Sequence, residues 1–69
     1  MDSINNRLRS LRIEHDLSQR QLAAGLGISN STVSRIEKGA QPDMSTIVAY
    51  AEYFCVSANW IINGKDDWE

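Results

Sequence analysis

Apolar residues recur at helical spacing on both sides of Gly27. The two stripes comprise Leu22, Ala23 and Leu26 before the glycine and Ile28, Val33 and Ile36 after it. This spacing predicts two amphipathic helices, at about residues 18–25 and 29–38, that pack against each other through a tight turn. Ser18 and Ser29 stand where each helix begins and are suitable N-caps. The pattern is that of a helix-turn-helix, although a plain helical hairpin in a small bundle has the same apolar spacing.

Three further helices are predicted outside this pair. Their bounds are about residues 3–14, 44–54 and 58–63. The first has a buried stripe of Ile4, Leu8 and Leu11. In the fourth helix the apolar face is predicted to comprise Ile47, Val48, Ala51 and Phe54, with Tyr50 and Tyr53 flanking it. We therefore expect an all-α domain of five helices, in which helices two and three form the helix-turn-helix.

The composition of the chain narrows the class of protein. Its 69 residues are few for a domain that folds without metal or disulfide help, so a compact helical core over residues 1–64 is expected, with 65–69 as an acidic tail or linker. Cys55 is the single cysteine and no Cys or His pair has metal-ligand spacing, so we expect no metal and no cofactor. One histidine without clustered carboxylates gives no assembled nucleophile and base, so we expect no enzyme and no small-molecule ligand.

The chain contains neither an apolar run long enough to span a bilayer nor a secretory leader. A cytoplasmic protein without membrane contact is expected. The net charge of −2 is unusual for a nucleic-acid-binding protein. Residues 1–38, however, hold six Lys and Arg against four acids, and residues 39–69 hold one lysine against five acids. Positive charge thus lies on the half with the helix-turn-helix, although a chance asymmetry in a short chain is the alternative.

The outward face of the third helix is polar and includes cations. It carries Asn30, Ser31, Ser34 and Arg35, which we predict to contact DNA bases. Asn30 can bond bidentately to adenine and Arg35 to guanine in the major groove. Contacts to phosphates are predicted for Gln19, Ser29, Thr32, Lys38, Gln41 and Arg9. The alternative for each of these side chains is an ordinary solvated surface.

The helix-turn-helix segment also carries a family pattern. It reads QxxLAxxxGISxxxVSxxEKG from Gln19 to Gly39, and it resembles the DNA-binding domain of lambdoid phage repressors and Cro proteins. Pro42 and the segment VSANWIING at residues 56–64 continue the match, so the resemblance covers nearly the whole chain. It implies a compact five-helix bundle of the lambda-repressor-like type that binds double-stranded DNA.

The resemblance further implies roles for particular residues. Arg12 and Glu37 would form a salt bridge that joins helix one to the third helix, and Gln19 would contact the DNA backbone. Ala58 and Ile61 would form a homodimer interface, with Trp60 and Ile62 turned inward. A domain of this size has little area for such an interface, so the dimer should be weak in isolation and favoured on DNA. Its operator would then be near-palindromic.

Two functions on this fold compete. The first is a sequence-specific transcriptional regulator, of the phage, prophage or plasmid repressor type. The second is the antitoxin of a toxin–antitoxin pair or the controller protein of a restriction–modification system. The sequence gives no operator and no direction of regulation.

Overall fold

The computed structural model describes residues 3–65, which form five α-helices. They are α1 Ile4–Glu14, α2 Gln19–Leu26, α3 Asn30–Glu37, α4 Met44–Phe54 and α5 Ala58–Asn63. The all-α, five-helix prediction is confirmed, and the bounds of α4 and α5 are those expected. Helices α1 to α3 each begin one residue later than predicted, because the serine counted as the first residue is the cap. Of the predicted acidic tail only Lys65 falls within the described residues.

Each of the five helices begins at a capping side chain. In every case the side-chain oxygen accepts a hydrogen bond from the backbone N–H three residues on, which satisfies one of the donors that a helix start leaves unpaired. The caps are Ser3, Ser18, Ser29, Asp43 and Ser57. Ser18 and Gln21 complete a reciprocal capping box at the start of α2. The first residue of each helix is therefore determined by a capping residue in the local sequence.

Two glycines end the helices of the helix-turn-helix. Gly27 adopts a φ of 73° after α2, which L residues with a Cβ rarely do. Gly39 has a φ of 115°, donates its N–H to Ile36 O, and is followed by Ala40, whose N–H donates to Arg35 O. This pair of bonds is a Schellman closure of α3. It turns the chain sharply away from the end of that helix.

One hydrophobic core joins all five helices. Its buried members are Leu8, Leu11, Leu22, Ala23, Val33, Ile36, Ile47, Tyr50, Ala51, Phe54 and Ile61. The predicted face of α4 was wrong in two places, since Val48 is 41% exposed and Tyr50 is fully buried. Tyr50 lies three residues after Ile47 and so shares its face, whereas Val48 is rotated by about 100° from it. Burial raises the pKa of the Tyr50 phenol to about 12.

Helices α2 and α4 meet at an unusually small residue. Gly25 lies inside α2, where glycine costs about 1 kcal/mol relative to alanine. The ring of Tyr53 covers it so closely that a Cβ at Gly25 would lie 2.6 Å from Tyr53 Cε1. Tyr53 also contacts Phe54 edge-on, with ring centroids 5.1 Å apart. A side chain at this position would therefore require the partly exposed ring of Tyr53 to move.

Helix α5 is held against α1 by an arginine. Arg7 Nε donates to Ile61 O at 2.8 Å and its Nη2 donates to Ile62 O at 3.0 Å, two carbonyls in the last turn of the helix. A helix end leaves such carbonyls without intrahelical partners, so the guanidinium acts as a C-terminal cap from another helix. Arg7 thus has a structural role, which is to fasten α5 to α1.

Candidate nucleic-acid interface

The outward surface of α3 presents the residues predicted to contact bases. Asn30, Ser31 and Arg35 are exposed and Ser34 is half-buried, while Val33 and Ile36 on the opposite side belong to the core. Asn30 and Arg35 are five residues apart, or about 7.5 Å along the helix axis. That separation is roughly two base steps of a duplex strand. The surface could therefore present an amide and a guanidinium to neighbouring base pairs.

The first turn of α3 is organised by two hydroxyls. Ser29 Oγ accepts from Thr32 N at 3.1 Å and lies 2.7 Å from Thr32 Oγ1. Arg35 Nη2 donates to the same Thr32 hydroxyl at 3.4 Å. These side chains, predicted to contact phosphates and a base, are brought together on one side of the helix. The long Arg35 side chain is thereby directed back along α3 towards its N-terminal turn.

A carboxylate at the other end of α3 is fixed by α1 and α2. Glu37 accepts from Arg12 Nε at 2.7 Å and Arg12 Nη2 at 2.9 Å, so the pair is bidentate as the family resemblance implies. The side chain of Glu37 is only 4% exposed. Arg12 also donates to Leu17 O at 2.8 Å, which ties the α1–α2 connection to the same group.

Gln19, predicted to contact a phosphate, joins this cluster. Its Nε2 donates to Glu37 Oε1 at 3.1 Å and its side chain is half-buried. Burial alone would raise the pKa of Glu37, but the hydrogen bonds from Arg12 and Gln19 and the charges of Arg12 and Arg9 lower it below its usual value. Glu37 is accordingly held ionised between these donors. One N–H of the Gln19 amide is committed to Glu37.

Asn5 makes two long-range hydrogen bonds that the sequence pattern does not predict. Its Nδ2 donates at 2.8 Å to Ile36 O in α3 and at 2.8 Å to Ala40 O in the following loop. The partners are 31 and 35 residues away in sequence, so no local pattern could indicate them. Asn5 and Arg12 are seven residues apart on α1 and therefore share one face of it, which is the face against α3.

The loop after α3 carries the remaining predicted phosphate contacts. Lys38 and Gln41 are exposed, and Arg9 is exposed on α1. Beside the loop lies an open cleft of about 190 Å³. It is lined by Thr32, Arg35, Ile36, Ala40, Gln41, Pro42, Asp43 and Thr46. Residues predicted to read bases and residues predicted to hold phosphates thus border a single depression.

The predicted dimer interface needs one correction. Ile61 lies on the core-facing side of α5 and is fully buried, so its side chain is part of the core and cannot contact a partner chain. The neighbouring Ile62, expected to turn inward, is instead 39% exposed. A six-residue helix turns a single face to the core, and here that face carries Ile61. Ala58 is half-buried, and Trp60 packs partly against the core as predicted.

The described residues provide neither a membrane-spanning helix nor a metal-binding cluster. Within residues 3–65 no helix has the length and apolar character needed to cross a membrane. Over the same range no group of three or more His, Cys, Asp or Glu side chains is arranged to hold a metal ion.

Comparison with known proteins places this architecture among helix-turn-helix domains. The family model described as helix-turn-helix matches residues 8–61. The cryptic phage CTXphi transcriptional repressor RstR of Vibrio cholerae is 36% identical over 63 residues, which are 90% of this chain and 57% of that protein. An uncharacterized HTH-type transcriptional regulator of Methanocaldococcus jannaschii is 35% identical over 65 residues, which are 93% of this chain and 98% of that protein. The chain therefore spans little more than half of the first relative and nearly all of the second.

A solved structure has the same fold. The P22 c2 repressor protein, crystallised in complex with a synthetic operator, superposes with a TM-score of 0.86 over 94% of this chain and 100% of that chain. The sequence identity is 21%, so the match concerns the fold. The predicted lambda-repressor-like arrangement of the five helices is confirmed.

Proposed function

The chain belongs to the helix-turn-helix family, and from that premise we propose that it is a transcriptional regulator that binds a specific DNA sequence through α3. The Vibrio cholerae relative is named a phage transcriptional repressor, and we propose repression as the mode of action here too. In this proposal a bound chain occupies its operator and thereby excludes the transcription machinery.

The observation that carries the proposal is the division of α3 into two sides. Val33 and Ile36 anchor one side in the core, and the opposite side leaves Asn30, Ser31 and Arg35 in solvent. These side chains are the amide, hydroxyl and guanidinium groups that read base edges in a major groove. Any surface helix is polar on its outer side, but this one exposes a cation and keeps its carboxylate buried, which favours a polyanionic partner.

Cations near this surface favour DNA binding there, whereas the net negative charge of the whole chain limits its overall affinity for DNA. Lys38 and Arg35 are exposed on α3, and Arg9 is exposed on α1. Since binding strength and its salt dependence both scale with the number of phosphates neutralised, a chain of net charge −2 should bind bulk DNA weakly. Discrimination would then rest more on base contacts than on charge.

We propose that two copies bind together, with the interface at α5 near Ala58. Two-fold pairing places two copies of α3 in successive major grooves, about 34–36 Å apart. The half-sites would then be inverted repeats of one another. With Ile61 in the core, the apolar surface left on α5 is that of Ile62 and the partly buried Ala58 and Trp60. This small area should give weak pairing that DNA promotes.

Selection of bound duplexes from a random DNA pool tests the proposal directly. Enrichment of one motif is expected, with inverted half-sites whose centres are about one helical turn apart. The Arg35→Ala variant should enrich a motif in which the preference at one base position is relaxed. Lys65→Ala, which removes an exposed cation outside the helix-turn-helix, is the matched control and should enrich the wild-type motif. Recovery of no motif above bulk competitor by the wild-type chain would refute the proposed function.

A further inference from the structure

We propose that Asn5 is a positioning residue for DNA binding, which orients the Ala40–Gln41 peptide so that the Gln41 N–H can donate to a phosphate. The inference rests on the proposed function and assigns a task to a residue of α1 that lies far from α3 in sequence. The ligand group is a phosphate oxygen of a duplex bound along α3.

The side chain of Asn5 adds a restraint from α1 to the two backbone hydrogen bonds by which Gly39 and Ala40 close α3. One bond holds Ile36 O, in the last turn of α3, and the other holds Ala40 O, beyond the glycine; both are 2.8 Å long. Gly39 has a φ of 115° and carries no side chain to restrain it. The closing bonds use the N–H groups of Gly39 and Ala40, so Asn5 is the residue that holds the Ala40 carbonyl oxygen.

The geometry of the peptide bond means that this restraint also fixes the direction of the Gln41 N–H. The C=O and the following N–H of a trans peptide point to opposite sides of the chain. No cis peptide occurs among the described residues. Because Ala40 O points towards Asn5 and α1, the Gln41 N–H points away from α1. Ala40 and Gln41 are both exposed, so that N–H faces solvent.

The backbone groups around the loop show why this N–H matters. The N–H of Gly39 donates to Ile36 O and that of Ala40 donates to Arg35 O, so both are consumed in closing α3. The N–H of Gln41 donates to no backbone carbonyl within the described part of the chain, and the next residue, Pro42, has none. Gln41 is thus the first residue after α3 whose backbone can donate outward, and it borders the cleft that also contains Arg35.

The chemistry of the asparagine suits this task. A single amide nitrogen offers two N–H donors, and both carbonyl oxygens accept from it. Alanine would supply neither donor. Aspartate has nearly the same shape but would place a carboxylate against two carbonyl oxygens. The Asn5→Ala and Asn5→Asp variants should therefore release the loop in the same way.

The test measures binding of a duplex selected by the wild-type chain, as a function of salt concentration. For Asn5→Ala we expect about tenfold weaker binding, the size of one lost hydrogen bond to a charged group. The slope of log affinity against log salt should stay at the wild-type value, because a neutral N–H neutralises no phosphate and releases no counterion. Ser10→Ala, at an exposed position of the same helix, is the control and should match the wild type.

The salt slope separates loss of the neutral Gln41 amide contact from loss of a charged side-chain contact. Affinity that falls together with the slope would show that Asn5→Ala removes a charged contact instead and would overturn the inference. Unchanged affinity and slope would overturn it as well, while leaving the proposed function intact. A wild-type chain with no preferred duplex would instead refute the proposed function, and this inference with it.

A second measurement covers the case in which Asn5→Ala does not fold. In the NMR spectrum of the wild-type chain, addition of the selected duplex should shift the Gln41 backbone amide strongly, as expected for a new hydrogen bond to phosphate. The Gly39 and Ala40 amides, already bonded within the chain, should shift less. A Gln41 amide that is no more perturbed than its neighbours would overturn the inference.

Discussion

The two ends of α3 are held by different kinds of contact. At the N-terminal end the polar contacts are local, between Ser29, Thr32 and Arg35 within the same helix and its cap. At the C-terminal end they come from other helices. Those contacts are made by Asn5, Arg12 and Gln19. The first end leaves its side chains to solvent, and the second is fastened to the scaffold.

This difference indicates how a very small domain can orient the exposed face of α3 towards DNA. A helix fixed at both ends by long-range contacts would bury the side chains needed for recognition, and one fixed at neither end would lose its angle. Fastening one end leaves the exposed turn free to meet a groove while its direction is set elsewhere. The predictions below test that division, from the largest expected effect to the smallest.

Removing the Glu37 carboxylate should destabilise the chain most. Glu37→Gln leaves the Arg12 guanidinium, itself only 15% exposed, without its ionic partner. Breaking such a pair from one side costs about 3–5 kcal/mol, and the exposure of Arg12 places the expected loss near the lower figure. Denaturant unfolding measures it. Glu52→Gln, which removes an exposed carboxylate from α4, should change the unfolding free energy by less than about 0.5 kcal/mol.

Acid should remove this difference between the wild type and Glu37→Gln. Because the folded-state pKa of Glu37 lies below its usual value, its contribution to stability is present above the unfolded pKa of about 4.3 and is lost as the pH falls through the folded pKa. The two unfolding free energies should therefore approach each other as the pH falls below about 4.3. A gap that does not narrow below that pH would mean that the ion pair is not the source of the stability.

Changes on the exposed face of α3 should alter recognition rather than stability. Arg35→Ala should weaken binding of the selected duplex by about 1–3 kcal/mol and relax the preference at one base position. Lys38→Ala, at the end of the same helix, should weaken binding on all sequences alike and lower the salt slope by about 0.9. Competition assays with single-base variants of the duplex distinguish the two. A uniform loss for Arg35→Ala would reassign it as a phosphate contact.

Loss of the α3 cap should have a smaller effect confined to one end. Ser29→Ala removes the acceptor for Thr32 N and should cost about 1 kcal/mol of unfolding free energy. Ser3→Ala makes the same chemical change at the start of α1 and should cost a similar amount. DNA binding should then fall further for Ser29→Ala than for Ser3→Ala. Equal losses of binding would show that the local order of the first turn of α3 is not used in recognition.

The local half of this comparison could be predicted from the sequence. Caps, glycine turns and apolar stripes depend on residues within a few positions of one another, so all five helices and the outward face of α3 followed from pattern. The adjacent isoleucines of α5 did not, since Ile61 and Ile62 are equally apolar and six residues define the buried face poorly. In α4, Val48 was favoured for its hydropathy over Tyr50, although helical geometry places the tyrosine inside.

The long-range half could not be read in this way. Asn5 and Arg7 reach partners 31 to 55 residues away, through backbone carbonyls that any residue type would offer. Because the acceptors are backbone carbonyls, the type of the accepting residue does not indicate the contact. The Arg12–Glu37 pair was expected only because a family pattern implied it. Polar contacts that orient a surface therefore require coordinates, even where the helices do not.

The smallest expected effect concerns the buried hydroxyl nearest the fastened end of α3. Tyr50 from α4 lies close enough to Arg12 and Glu37 to feel their charges, yet its hydroxyl is buried without a hydrogen-bond partner among the described residues. If the C-terminal end of α3 is held only from α1 and α2, Tyr50→Phe should leave the unfolding free energy unchanged or raise it by up to about 1 kcal/mol, because it loses no hydrogen bond and removes the cost of burying an unsatisfied hydroxyl. Thermal unfolding at neutral pH measures it, with Phe54→Leu as a variant in which packing is lost. A loss of about 1 kcal/mol or more for Tyr50→Phe would mean that the phenol donates to this cluster in solution, and α4 would then join α1 and α2 in fixing the helix.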